Sequence, residues 1–226
     1  MNFVQLCQAV ARETGGFPDG EPKTVVGQTG PLSRIVAFTA DAWHELQVSR
    51  RSWLFRRKEL TMNAAAGVQR LSAPVPDFSD WLLDTGVWAH DPSVGLAGEY
   101  RLSELPYDSW LTSWGRGASV QGRPGYFAIA PDRKLCLAPI PDTTYVIRAE
   151  YVRSPQTLVS DNDIPFLPEE YHPAIVYLAL HKWQAYDEAP GQIAAALARY
   201  RVYWEALVRD QLPTVGLGDR NFARWR

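Results

Sequence analysis

The sequence predicts an α+β protein: a helical bundle formed from N- and C-terminal helices, with an inserted β-rich lobe and an extended C-terminal tail. Three observations carry this. Apolar residues recur at helical spacing before about residue 51 and again after Pro168. The stretch between is made of short aromatic and β-branched runs separated by Pro, Gly, Asp and Asn. The last fourteen residues have no period at all. The expected segments are 1–51 (N-terminal helices), 52–163 (β-rich lobe), 164–212 (helical hairpin) and 213–226 (docking tail).

Phe3, Leu6, Cys7 and Val10 define a first short helix, with Gly15-Gly16 as its stop. Pro31 opens a longer one, where Leu32, Ile35, Val36, Thr39, Trp43 and Leu46 form a single stripe. "WLFRRKELTMNA", "GYFAIAP", "KLCLAPI" and "TYVIRAEYV" read as strands, and the turns "PDRK" and "PDTT" join the last three into a meander. Residues 78–114, dense in Trp, predict further short strands and one helical turn. Beyond Pro168, Ile175, Val176, Ala179, Leu180 and Trp183 mark one helix. Ile193, Leu197, Tyr200, Trp204 and Leu207 mark the next, after a break at Ala189-Pro190-Gly191. A helix with one apolar stripe is not stable alone, so the terminal helices are expected to pack together.

Composition narrows the function. With 46% hydrophobic residues in 226, the chain can bury a sizeable core. A formal charge of -2 gives no bulk attraction to nucleic acid or an acidic membrane. Cys7 and Cys136 lack metal or disulfide spacing and predict two buried thiols in a reducing compartment. The start of the chain shows no secretory pattern and no run is long enough to span a bilayer, so a protein that is intracellular when made is expected.

The strongest candidate for chemistry is "SDNDIPFLPEEYHPAIVYLAL", which gathers Asp161, Asp163, Glu169, Glu170 and His172. As a calcium loop it fails. Pro165 takes the fifth position, Phe166 the sixth, which needs Gly, and His172 the twelfth, which needs Glu. As a zinc site it lacks two imidazoles one helical turn apart. The acids instead suit a strand-to-helix junction, with Glu169 and Glu170 in the first turn favoured by the helix dipole. "GRGASVQGRPG" lacks the context of a phosphate cradle, and no nucleophile motif is present. No enzyme and no cofactor are expected.

Two features exceed what a core needs. "SRRSWLFRRKE" places Arg50, Arg51, Arg56, Arg57 and Lys58 around an aromatic knot: a solvated face, or a basic patch meeting DNA or an acidic partner. The tail "PTVGLGDRNFARWR" carries three Arg against one Asp and ends in Arg220, Asn221, Phe222, Arg224, Trp225 and Arg226, residue types that anchor interfaces.

The order of these segments, above all "YVRSPQTLVSDNDIPFLPEEYHPAIVYLAL", resembles the adaptor (head-to-tail connector) proteins of tailed bacteriophages over residues 1–212. The resemblance implies a virion protein in a homo-oligomeric, dodecameric ring that joins the portal to tail or nozzle proteins. It also implies a DNA channel touched only transiently by double-stranded DNA, no membrane, and a C-terminal segment reaching toward the portal. The nine Trp leave a carbohydrate-binding or tail-fibre accessory module as the alternative.

Overall fold

The computed structural model describes residues 1–15, 20–116, 120–187 and 190–213. Four long helices are present: α1 (Phe3–Glu13), α2 (Gly30–Val48), α4 (His172–Tyr186) and α5 (Pro190–Gln211). A single turn, α3 (Tyr107–Trp110), makes a fifth. The strands are β1 (Arg57–Ala64), β2 (Arg70–Leu71), β3 (Phe78–Leu82), β4 (Val87–His90), β5 (Tyr100–Glu104), β6 (Gln121–Gly122), β7 (Tyr126–Ile129), β8 (Leu135–Ala138), β9 (Ile140–Pro141) and β10 (Tyr145–Arg153). The chain divides into two units, one of Met1–Arg56 with Pro155–Arg226 and one of Arg57–Ser154.

This corrects the expected architecture. In place of a helical bundle with an inserted lobe, five helices accompany a large, nearly closed mixed sheet of eight strands in the order β1-β10-β4-β5-β7-β8-β2, with β3 also on β10. One physical reason lies in α4. It has no single stripe: Ala174, Ile175, Val176, Leu178, Ala179, Leu180 and Trp183 are all buried, because α1, α2 and α5 each pack against it. The other reason is that short strands pair across long sequence separations, which local spacing does not report.

Local chemistry explains the helix ends. Asn2 and Gln5 form a reciprocal capping box on α1, and Gly15, at φ 91°, lets the chain turn away after it. Pro31 sits in the first turn of α2, and the Thr39 hydroxyl donates to the Ile35 carbonyl at 2.7 Å. The α4 region starts later than expected. Pro168 precedes a 3-10 turn at Glu169–Tyr171, and Pro173 occupies the first turn of the α-helix proper. The core of this unit stacks Trp43 on Phe55 and Phe55 on Trp53, with Trp204 edge-on to Trp53.

In the sheet unit, β1 alternates with Leu60, Met62 and Ala64 inward, matched on β10 by Tyr145, Ile147, Ala149 and Tyr151. The expected three-strand meander is only a hairpin. β7 and β8 pair around "PDRK", where Arg133 takes φ 63°, but β10 crosses to lie between β1 and β4. Pro139, which has no N–H to donate, follows β8, and β9 pairs with β6 in a separate two-stranded sheet.

Candidate functional site

The acidic cluster that sequence singled out is a clasp for the start of the chain. The carbonyls of Asp163 and Asp161 accept from the N–H groups of Phe3 (2.8 Å) and Val4 (3.2 Å), donors that the first turn of α1 cannot satisfy itself. The Asp161 carboxylate accepts from the Val25 N–H at 2.6 Å and the Thr24 hydroxyl at 3.1 Å. Asp163 folds back on the N–H groups of Ser160 and Val159, at 2.8 and 2.7 Å, and these two bonds hold its carboxyl below the usual range.

Glu169 pairs with the Met1 amine at 3.1 Å, which lowers its pKa. His172 is buried, with Nε2 at 3.0 Å from the Leu167 carbonyl and Nδ1 at 2.8 Å from the Met1 nitrogen. The carbonyl can only accept, so Nε2 carries a proton, and the Met1 ammonium can only donate, which suits an unprotonated Nδ1. Burial, then the nearby amine, pushes its pKa down. Among the described residues no group of three or more His, Cys, Asp or Glu is placed to hold a metal.

The basic run separates into different environments. Arg56 is 5% exposed, and its Nη1 donates to the Gln47 carbonyl, within the helical unit, at 2.8 Å. Arg50 is exposed, 5.9 Å over the Trp204 ring, and Arg51 is exposed beside it. Arg57 and Lys58 begin β1 in the other unit, where Lys58 lies 3.6 Å from Asp77. The tail residues Arg220, Asn221, Phe222, Arg224, Trp225 and Arg226 lie outside the described residues.

The indoles are mostly core. Trp43, Trp53, Trp81, Trp110 and Trp183 are buried and Trp114 and Trp204 half-buried; among the described residues only Trp88, at 37%, exceeds a third exposed. A sugar platform needs exposed rings, so most of the Trp content does not serve one.

Trp88 borders an open cleft of about 160 Å³ lined by Glu59, Glu99, Arg148 and Glu150. The register fixes it: Glu59 lies opposite Glu150 between β1 and β10, and Trp88 opposite Arg148 between β10 and β4. Arg148 is held by Glu99 at 3.0 Å, and the Trp88 Nε1 donates to the Thr85 carbonyl at 3.1 Å. No local pattern in the sequence marks this cleft. The alternation in "RKEL" and "IRAEY" puts the right residues on outer faces, but only the pairing brings them together.

Comparison with known families decides what kind of protein carries these features. The family model for the SU10 adaptor protein matches residues 1–224. The chain belongs to that family. The resemblance to tailed-phage adaptors therefore holds across nearly the whole chain, and the protein is a phage structural adaptor, a virion component whose family associates with portal and tail proteins. No curated protein matches it.

The remaining groups of the adaptor suit a structural role. Burial pushes the Cys7 thiol up to about 12 and also raises that of Cys136, which leaves both protonated and unreactive at neutral pH. Among the described residues no helix is long and apolar enough to cross a membrane.

Proposed function

We propose that the adaptor assembles with copies of itself into a dodecameric ring that joins the portal to the tail or nozzle proteins and surrounds part of the DNA channel, retaining the genome until ejection. The observation that carries this reading is the family match over residues 1–224. Charge supports it. A chain of formal charge -2 has no bulk affinity for phosphates, and tight phosphate binding would impede the passage of double-stranded DNA. Arg50 and Arg51, exposed at the end of α2, are the basic residues we assign to a DNA- or partner-facing surface. The basic-aromatic end at Arg220–Arg226 is assigned to portal docking on its composition.

The experiment is mass photometry of the purified adaptor with and without a portal ring. Stoichiometric addition to the ring is expected. Deleting residues 213–226 should leave a folded chain that no longer joins, and unimpaired assembly by the truncated chain would overturn the docking role of the tail.

A further inference from the structure

We infer that the cleft beside Trp88 is a receptor for a basic side chain, an arginine or lysine presented by a partner protein. Two of the carboxylates that line the cleft set its charge. Glu59 and Glu150 face each other directly across the β1–β10 pair, and like charges so placed oppose strand pairing. Among the described residues neither makes an ion pair. Arg148, which also lines the cleft, is already paired with Glu99 at 3.0 Å. The cleft thus presents two carboxylates without an ion-pair partner among the described residues, on strands whose backbone holds them in place.

The second, independent feature is the indole. Trp88 is the most exposed of the described Trp residues, and its ring is fixed from behind by the bond from Nε1 to the Thr85 carbonyl at 3.1 Å. An indole face attracts a cation through its quadrupole, and carboxylates beside it supply charge-assisted acceptors. A planar guanidinium satisfies both at once, stacking on the ring while its N–H fork reaches a carboxylate. Charge also selects the class of partner. Phosphates would be repelled by Glu59 and Glu150, which sets nucleic acid aside, and a neutral sugar would leave the like-charge pair unrelieved.

The inference deepens the adaptor reading and rests on it only for the expectation that the partner is a portal or tail protein. The cleft itself can be tested without them. The indole N–H resonance of Trp88 is assigned by its loss in Trp88→Phe, then followed on titration with Nα-acetylarginine amide. A saturable shift is expected, with affinity lowered on the order of tenfold or more in Glu59→Gln/Glu150→Gln, as loss of hydrogen bonds to charged groups implies.

The neutral isostere Nα-acetylcitrulline amide and inorganic phosphate should produce no saturable shift. No shift with the arginine probe, an equal shift with citrulline, indifference to the two carboxylates, or saturation by methyl glucoside instead would each overturn the proposal. Dispersed, otherwise unchanged spectra of the double variant confirm its fold. Failure of the full-length adaptor to join the portal ring, with arginine binding intact, would overturn the ring reading and leave the cleft standing.

Discussion

Gln47 and Gln156 are bonded to each other in both directions: the Gln47 side-chain Nε2 donates to the Gln156 carbonyl at 2.9 Å, and the Gln156 N–H donates to Gln47 Oε1 at 2.7 Å. Gln47 is fully buried near the end of α2, so the chain is fastened to α2 just after the boundary at Ser154. Gln47→Leu would fill the space but leave both backbone groups of half-buried Gln156 without their partner, at about 1–3 kcal/mol in all. The urea midpoint of this variant should fall well below that of wild type, and an unchanged midpoint would refute the clasp.

The basic run separates in the same kind of experiment. Arg56→Met removes a buried guanidinium that donates to the Gln47 carbonyl and should cost about 1.5–3 kcal/mol in urea unfolding. Arg50→Glu with Arg51→Glu changes exposed charges, whose contacts are screened by solvent, and should cost less than Arg56→Met. The same double variant should retain linear double-stranded DNA less well at low salt. The opposite ranking of the two variants in stability would mean that the contacts of Arg56 contribute little.

What the sequence made legible was local. The spacing of Phe3, Leu6, Cys7 and Val10, and of Ile35, Thr39, Trp43 and Leu46, marked α1 and α2 because a helix buries residues three and four apart. The sheet was not legible in this way. β1 pairs with β10 some eighty residues later, and β5 runs parallel to β7, relationships that neither partner's pattern encodes. The acidic seam is legible as a junction, yet its use of the Asp161 and Asp163 carbonyls to cap α1 depends on backbone groups, which carry no residue signature. The same limit hid the cleft, since Glu59 and Glu150 become neighbours only through register.

Acid should weaken the helical unit in two stages. His172 is held neutral, its folded pKa below the ordinary 6.5, so its contribution is complete above that value and declines as pH falls, when the unfolded chain takes up a proton first. Asp163 has its carboxyl depressed below 3.8, so its contribution is present above that value and is lost as pH falls further. Stability measured from about pH 7 to about pH 5 should decline in wild type and decline less in His172→Gln, which cannot titrate there. Identical slopes would assign the loss to other groups.

Glu59→Lys sets stability against binding at one position. A lysine there would face Glu150 across the β1–β10 pair and turn a repulsive pairing into an attractive one, a gain of about 0.2–1 kcal/mol. Its ammonium would also occupy the charge that we assign to an incoming arginine. The variant should therefore unfold at higher urea than wild type while losing the Trp88 indole response to Nα-acetylarginine amide. A core residue would not behave this way, because weakening its contacts lowers stability and any dependent binding together. If Glu59→Lys destabilised the sheet, Glu59 would have a stabilising partner that outweighs Glu150. If it gained stability and kept the arginine response, the carboxylate would have no part in the cleft's recognition.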